Sequence, residues 1–182
     1  MATKNWALDP THSEVQFKIK HLMITNVTGS FDVFNVDAQT EGEDFTKARV
    51  SFTADVNSIS TNNEQRDTHL KSADFFDAEK FPQIKFVATG TENVDSDGSY
   101  ELYGDLTIHG VTKNVKLSVE FGGVVKDPWG NTKAGFTVNG KINRKDFGLT
   151  WNAVTEAGGV MVSEEVRLFA EIQLVEQVEE LV

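Results

Sequence analysis

The feature that most constrains the fold is a strict two-residue alternation of apolar and polar side chains in the first long extended stretch, residues 6–31. From Ser13 onward one face carries Val15, Phe17, Ile19 and His21, and the other carries Glu14, Gln16, Lys18 and Lys20. A period of two with one apolar and one charged face predicts a half-buried antiparallel β-strand. Asp9-Pro10 sets the entry turn, because proline fixes its own φ and disfavours helix at the preceding residue.

The same alternation recurs along the chain and predicts a mostly β protein. Inward faces are predicted within residues 48–56, 84–88, 102–108, 115–121, 136–142 and 166–174. Turn signals separate these segments, and a bulge or bend is predicted at residues 34–36, where the alternation breaks. About eight short strands with regularly spaced turns predict an all-β fold, an antiparallel barrel or sandwich.

One short helix is predicted from Asn62 to about Lys71. Thr61 and Glu64 have the spacing of a capping box, in which each side chain satisfies a free backbone donor at the helix start. Asp67 and Lys71 are spaced for an i,i+4 ion pair. The following connector, residues 72–82, is predicted to pack its phenylalanines against the sheet.

The domain organisation and the interior follow from length and side-chain size. A chain of 182 residues without repeats or low-complexity linkers predicts one domain, residues 1–182, with an acidic, frayed tail from about residue 176. A barrel of ~8 strands can fill its interior with side chains or hold one small ligand. Small residues on the inward faces favour the hollow form, although packed barrels also use them: Ala48, Ala54, Ala88, Gly104, Gly140 and Ala170.

Charge and composition exclude several function classes. The net charge of −11 argues against a nucleic-acid partner and against adsorption to an anionic membrane. The absence of cysteine excludes disulfides and thiolate chemistry. No stable membrane insertion is expected, because no apolar stretch is long enough to span a bilayer. The start of the chain lacks the apolar run of a signal peptide, so a cytoplasmic location is expected, with the periplasm as the alternative if a leader has been removed.

Motifs for metal binding and catalysis are missing or incomplete. Residues 93–98 imitate the start of an EF-hand loop, but Gly104 stands where a bidentate glutamate is needed, so a hairpin turn is predicted. The four histidines are too scattered to share an ion along a continuous strand. No nucleophile elbow, zinc-protease motif, P-loop or cysteine nucleophile is present. The sequence therefore predicts no metal site, no cofactor and no enzyme activity.

Five blocks of sequence resemble the YceI-like polyisoprenoid-binding family. In chain order they are DPTHSEVQFKIKHLM with Val27-x-Gly29-x-Phe31, RDTHLKSADFFDAEKFPQIKF, LYGDLTIHGVTKNVKL, INRKDFGLTW and GGVMVSEEVRLFAEIQL. The resemblance covers nearly the whole chain. It implies a lipocalin-like barrel whose apolar lumen holds a polyisoprenoid, such as a polyprenyl diphosphate or a quinone-type tail. Residues 34–43 depart from the family pattern, which affects the expected shape of that edge.

The predicted lumen-lining residues are the inward members of the alternating segments. They are Val15, Phe17, Ile19, His21, Phe31, Val50, Phe52, Ala54, Phe86, Leu106, Ile108, Leu117, Val119, Phe136, Val138, Ile142, Leu168, Ala170 and Ile172. His21 has two readings: a core histidine bonded to a backbone carbonyl, or a group that meets a polar part of a ligand.

Three residues are candidates for contact with an anionic or quinoid head group: Arg66, His69 and Arg144. The guanidinium fork of arginine suits a diphosphate through bidentate hydrogen bonds. The alternative is that these residues pair with neighbouring carboxylates and cap backbone groups at one end of the barrel.

The resulting hypothesis is a non-enzymatic carrier or storage protein for a long isoprenoid lipid. The expected partner is that lipid, and a homodimer is a further possibility. The competing hypothesis is a packed-core stress-response or interaction module that holds no lipid and acts through its surface.

Overall fold

The computed structural model describes residues 2–152 and 161–178. Within these ranges the chain forms eleven strands and one helix: β1 (Thr3–Leu8), β2 (Glu14–His21), β3 (Thr25–Phe31), β4 (Phe34–Glu41), β5 (Asp44–Asp55), β6 (Ile59–Ser60), α1 (Glu64–Lys71), β7 (Gln83–Glu92), β8 (Tyr100–Ile108), β9 (Val111–Lys126), β10 (Thr132–Asn143) and β11 (Val162–Gln177). Short 3₁₀ turns occupy Pro10–His12, Val56–Ser58 and Arg144–Phe147.

The strands close into an antiparallel barrel of eight. Around the ring the order is β1, β4, β5, β7, β8, β9, β10 and β11, and β11 pairs with β1 to complete it. The other three strands continue the wall, because β2 pairs with the first half of β11, β3 pairs with β2, and β6 pairs with β3. The predicted all-β barrel of about eight strands with a short helix is confirmed.

Three of the eight strands are interrupted, which explains why there are eleven strands in a barrel of eight. The Pro10–His12 turn separates β1 from β2. A bend at Asp32 and Val33 separates β3 from β4, slightly before the position predicted from the broken alternation. The Val56–Ser58 turn separates β5 from β6.

The pairing register places the alternating apolar residues on the inside. Ala170 of β11 lies between Val15 of β2 and Val138 of β10, and Ile172 lies opposite Phe136. Because cross-strand partners share a face of the sheet, one inward residue fixes the direction of its neighbours on both sides. The odd-numbered face of β2 therefore continues around the barrel as one apolar surface.

One end of the barrel, here called the floor, is closed by aromatic rings. Trp6, Phe45, Phe121 and Phe136 form a contiguous cluster, with centroids 4.9 Å apart for Trp6 and Phe45 and for Phe45 and Phe136. Trp6 is 2% exposed, and its indole N–H donates to Thr40 Oγ1 at 2.9 Å. The buried indole thus has the polar partner that it needs.

The opposite end, here called the mouth, carries α1, the turn between β2 and β3, and residues 148–152.

The start of α1 differs from the prediction. Asn63 caps α1 by accepting from the Arg66 backbone N–H at 3.0 Å, so the capping box from Thr61 to Glu64 is wrong. The Asp67 carboxylate accepts from the N–H and hydroxyl of Thr61 at 2.8 and 2.6 Å. Among the described residues the Asp67 carboxylate makes no ion pair with Lys71, because it is already hydrogen-bonded to Thr61.

The end of the chain also differs from the prediction. Glu176 and Gln177 belong to β11 and pair with Trp6 and Asn5 of β1, so the acidic tail cannot begin at residue 176. Pairing with β1 is what closes the barrel, and it holds these two residues in the wall.

No helix in the described part of the chain is long and apolar enough to cross a membrane.

Asp9 connects the bend between β1 and β2 to β10 and β11 through hydrogen bonds. Lys133 Nζ of β10 donates to Asp9 Oδ2 at 2.7 Å, and His12 Nδ1 lies 2.8 Å from the same oxygen. The Asp9 backbone N–H donates to Gln173 O of β11 at 2.9 Å. The hydrogen bond from Lys133, supported by those from His12 and Thr11, holds the pKa of the Asp9 carboxyl well below its usual range.

Replacing Asp9→Asn should therefore remove a pH-dependent part of the stability. The folded-state pKa is depressed, so the contribution is present above about pH 4, the unfolded-state pKa, and is lost as the pH falls toward the folded-state value. At neutral pH the variant should lose on the order of 1–2 kcal/mol, allowing for solvent screening. Urea unfolding at pH 7 and near pH 3 should show this difference shrinking with acidification. Asp37→Asn is the control, because this carboxylate is exposed and has no ion pair among the described residues. If the stability difference between wild type and Asp9→Asn is the same at both pH values, the prediction is contradicted.

Candidate ligand-binding cavity

The barrel encloses a cavity of about 620 Å³ that extends from the floor to the mouth. Protein sites for small molecules typically have volumes of roughly 300–1,000 Å³ and mostly apolar walls. Every residue predicted to line the lumen lies on the wall of this cavity, and so do Arg66, His69 and Arg144. The interior is hollow rather than packed to the density of a protein core. Contact of these residues with a ligand stays a prediction.

The reason for the hollow interior differs in part from the one predicted. A Cβ at Gly104 would collide with the ring of Phe86, and a Cβ at Gly140 would collide with Leu117. These two glycines therefore make room for side chains of the neighbouring strands and not for a ligand. Ala54 and Ala170 do lie on the cavity wall.

Several lining residues at the two ends were missed by sequence reasoning. Near the floor the cavity wall includes Val36, Ala38 and Phe45, whose inward direction follows from the resumed alternation in β4 and β5. Near the mouth the missed residues are Leu70 on α1 and five residues on connecting segments that have no periodic signal: Phe75, Phe76, Leu149, Trp151 and Met161.

At the floor, Tyr100 places a hydroxyl in the apolar part of the cavity. It is 7% exposed, and burial, reinforced by the charge of Asp44, raises its pKa to about 12. The hydroxyl is therefore neutral at physiological pH, and the deep end of the cavity carries no charge from it.

At the mouth, the Arg66 side chain is exposed, and only part of its guanidinium group is hydrogen-bonded to the protein. Its Nε donates to Thr61 Oγ1 and its Nη2 to the Thr61 carbonyl oxygen, each at 2.7 Å. The Asp67 carboxylate fixes Thr61 in turn, so the position of the guanidinium is well defined. The Nη1 amino group has no hydrogen-bond partner among the described residues. It can therefore donate to a ligand at the cavity entrance.

His69 belongs to an aromatic group at the same entrance. Its Nε2 lies 2.9 Å from Asp74 Oδ2, so the ring donates there and its other nitrogen remains available. The imidazole meets Phe75 and Trp151 edge to face, with centroids 5.1 and 4.8 Å away. These three rings provide flat, polarisable surfaces beside the guanidinium of Arg66.

Arg144 is buried and binds the protein's own backbone. It is 2% exposed, and it donates to the carbonyl oxygens of Ser163 at 2.8 Å, Leu149 at 2.6 Å, Trp151 at 2.8 Å and Val162 at 3.3 Å. Desolvation lowers the pKa of its guanidinium. These bonds use four of its five N–H groups, which leaves one on Nη2. Backbone capping is thus observed, although the expected pairing with Asp146 is not present, and contact with a head group stays a prediction.

His21 lies at the rim of the mouth rather than in the core. Its side chain is exposed, and no hydrogen bond to it is found among the described residues. The reading of His21 as a core histidine bonded to a backbone carbonyl is therefore wrong. The last residue of β2 faces the lumen but stands where the wall meets solvent.

The candidate calcium loop is an ordinary turn. Asp95 Oδ1 accepts from the backbone N–H groups of Asp97 and Ser99 at 3.1 and 3.0 Å, and Gly98 takes a φ of 90°. The carboxylate stabilises its own backbone, as Asp does in turns. Within residues 2–152 and 161–178, no three His, Cys, Asp or Glu side chains are grouped so that they could hold a metal ion.

Comparison with known proteins gives matches along most of the chain. Residues 6–174 match a family model described as the YceI-like domain. A UPF0312 protein of Staphylococcus aureus (strain MSSA476) is 42% identical over 167 residues, which cover 91% of this chain and 94% of the relative.

Solved structures show the same architecture. The YCEI protein of Campylobacter jejuni is 35% identical, with a TM-score of 0.74 over 94% of this chain and 97% of that one. BcnA of Burkholderia cenocepacia has a TM-score of 0.78 at 21% identity, covering 91% and 98%. A polyisoprenoid binding domain from Saccharophagus degradans has a TM-score of 0.62 at 15% identity, covering 94% and 98%. The last two likenesses concern the fold.

Proposed function

The chain belongs to the YceI-like family, and from this premise we propose that it binds a long-chain isoprenoid lipid in its barrel and carries or stores it without chemical change. The observation that carries the proposal is the apolar cavity of about 620 Å³, closed by aromatic rings at the floor and lined by polar groups mainly at the mouth. The Saccharophagus degradans domain, named for polyisoprenoid binding, shares this fold and supports the proposal.

The hydrophobic effect is sufficient to hold such a ligand. Burying one CH₂ group is worth ~0.8 kcal/mol, so an isoprene unit gains roughly 3–4 kcal/mol before the costs of association are subtracted. Several units inside the barrel therefore suffice for tight binding without a dedicated polar anchor. The tail thus supplies the affinity, and polar residues at the mouth decide which head group is accepted.

The charges around the cavity favour a neutral or anionic head group. Lys20, Arg66 and Arg144 are on the lining, whereas no described lining residue is an aspartate or glutamate. This distribution is informative in a chain whose net charge is −11. A diphosphate would meet the free Nη1 group of Arg66, and a quinone ring would meet the aromatic group of His69, Phe75 and Trp151.

Binding without catalysis agrees with the residues on the wall. The described lining contains no serine, cysteine or carboxylate, which are the usual nucleophiles and general bases beside histidine. The inward rows are aliphatic and aromatic, so a bound chain would meet inert side chains along its length.

Native mass spectrometry of the purified protein, followed by solvent extraction, tests this function. We expect extraction to release a long-chain isoprenoid, and stripped protein to take up an added polyprenyl lipid with one chain per barrel. Denatured protein treated with the same lipid is the control for nonspecific adsorption. Repeated preparations that are empty, and that do not take up polyprenyl lipid, would contradict the proposal and favour the surface-interaction hypothesis.

A further inference from the structure

The turn between β2 and β3 ends in an exposed apolar tip, Leu22, Met23 and Ile24. These residues are 38%, 51% and 77% exposed, and every residue from 20 to 26 is exposed. Three consecutive large apolar side chains at the end of a projecting hairpin are unusual, because exposed apolar residues are normally scattered singly. The tip therefore requires an explanation beyond folding.

The backbone of the tip is strained in order to present these side chains. Leu22 and Met23 have φ values of 51° and 60°, and the Ile24 N–H donates to His21 O at 3.2 Å. Two central residues with positive φ are what a type I′ hairpin turn requires, and Asn-Gly is the favoured pair there. A bulky residue in this region is a conformational outlier that lowers the stability of the fold. The sequence thus keeps apolar side chains where stability alone favours Asn and Gly.

The tip lies directly at the entrance of the cavity. His21, the residue before it, is on the cavity lining together with Lys20 and Met161. The Leu22 N–H donates to Met161 O at 2.7 Å, which fastens the tip to the start of β11 at the mouth. A surface that contacted the tip would therefore face the opening through which a ligand must pass.

The charge of the hairpin that carries the tip is opposite to that of the molecule as a whole. Lys18 and Lys20 are exposed on the hairpin just behind the tip, and neither makes an ion pair with a described residue. Arg167 lies beside Lys18 across the strand pair. Residues 15–31, which form this hairpin, contain no aspartate or glutamate, whereas acidic side chains occur at both ends of the barrel: Glu41, Asp44, Asp95 and Asp127 at the floor, and Glu64, Asp74, Asp77 and Glu164 near the mouth. The hairpin that carries the tip is therefore a basic segment in an acidic protein.

We propose that the Leu22, Met23 and Ile24 tip docks the mouth of the barrel reversibly on an anionic lipid bilayer. Apolar side chains enter the boundary between head groups and acyl chains, while the lysines behind them attract anionic head groups. The net charge of −11 opposes adsorption of the rest of the surface, so the contact is confined to the apolar tip and the lysines behind it. The purpose of docking rests on the proposed lipid carriage, but the docking itself does not.

Flotation with unilamellar vesicles tests the proposal. Wild-type protein should float with phosphatidylcholine vesicles that contain phosphatidylglycerol, and the bound fraction should fall in high salt and with phosphatidylcholine alone. Ile24→Asp should weaken binding about tenfold or more, because a carboxylate replaces an inserted apolar side chain. Ile24 is so exposed that the variant keeps its fold, which circular dichroism checks.

The double variant Leu22→Asn, Met23→Gly separates docking from stability. Asn and Gly relieve the positive-φ strain, so the variant should melt at a temperature a few degrees higher while losing vesicle binding. Trp129→Asp is the matched control, because Trp129 is 83% exposed on a turn at the floor. Failure of wild-type protein to float with anionic vesicles, or unchanged flotation of Ile24→Asp, would overturn the proposal. Loss of flotation in Trp129→Asp would overturn it too, because docking would then occur through the floor.

Uptake of a polyprenyl lipid delivered in ethanol, measured on the same variants without vesicles, distinguishes this proposal from the proposed function. Ile24→Asp should take up the lipid as wild type does, because residue 24 is outside the cavity lining. Flotation without lipid uptake in wild type would contradict lipid carriage and leave docking intact. Lipid uptake without flotation would contradict docking and leave lipid carriage intact.

Discussion

Ala170→Trp should leave the barrel folded and lower its affinity for a polyprenyl lipid about 100-fold or more. Ala170 lies on the cavity wall between Val15 and Val138, and it is only partly buried because the space in front of it is open. An indole there would displace about one isoprene unit, whose burial is worth roughly 3–4 kcal/mol. Native mass spectrometry and lipid titration should show weaker binding, or acceptance of shorter chains only.

The neighbouring substitution Glu171→Trp is the matched control for Ala170→Trp. Glu171 is on the outer face of the same strand, where its carboxylate accepts from the Thr137 hydroxyl at 2.9 Å. Losing that bond costs about 1 kcal/mol of stability but does not change the lumen. Overfilling a packed core costs typically ~1–3 kcal/mol. An Ala170→Trp variant that fails to fold would therefore favour a packed interior, and one that binds the same lipid equally well would contradict the assignment of the cavity.

The barrel wall could be predicted from sequence because a strand has an exact side-chain period. Once Val15, Phe17 and Ile19 are assigned to one face, each later alternating segment must turn its apolar residues toward them. This argument requires no knowledge of which strands are neighbours. It placed the inward residues of β2, β5 and β7 to β11 on the wall of the cavity that the structure shows.

The ends of the barrel could not be predicted in the same way, because they depend on contacts between distant segments. Trp151 and Phe75 lie at the mouth on irregular segments, and only the fold brings them next to His69. The helix cap illustrates a local competition: Thr61 and Asn63 are both good capping residues, and Asp67 and Arg66 engage Thr61 first. The role of Gly104 depends on the register that places Phe86 over it, which alternation does not reveal.

The interpretation of charge changed most between sequence and structure. A net charge is an average, and it correctly predicts long-range repulsion from other anions. It does not show that the hairpin of residues 15–31 carries two lysines and no carboxylate, nor that this hairpin lies at the mouth. The barrel topology brings this hairpin to the mouth, because alternate hairpin turns fall at opposite ends.

Arg144→Met should destabilise the protein by about 3–5 kcal/mol. The guanidinium joins carbonyl oxygens of Leu149 and Trp151 to those of Val162 and Ser163, so one side chain fastens both ends of the connection between β10 and β11. Without it these buried acceptors lose a charged donor, and each unsatisfied group costs about 1–3 kcal/mol, only partly recovered by water. Urea unfolding should show a lower midpoint with an unchanged dependence on denaturant concentration.

Arg167→Met is the matched control for Arg144→Met, because its side chain is 62% exposed and only 3.7 Å from Glu165 at the surface. Exposed ion pairs are worth about 0–1 kcal/mol, so this variant should remain close to wild type. Arg144→Lys should lose nearly as much stability as Arg144→Met, because three donors on one nitrogen cannot reach four carbonyls arranged around a planar fork. If the free energies of unfolding of Arg144→Met and Arg167→Met differ by less than about 1 kcal/mol, Arg144 does not hold the segments of the mouth together. Its remaining free N–H would then make head-group binding the better account of why an arginine lies there.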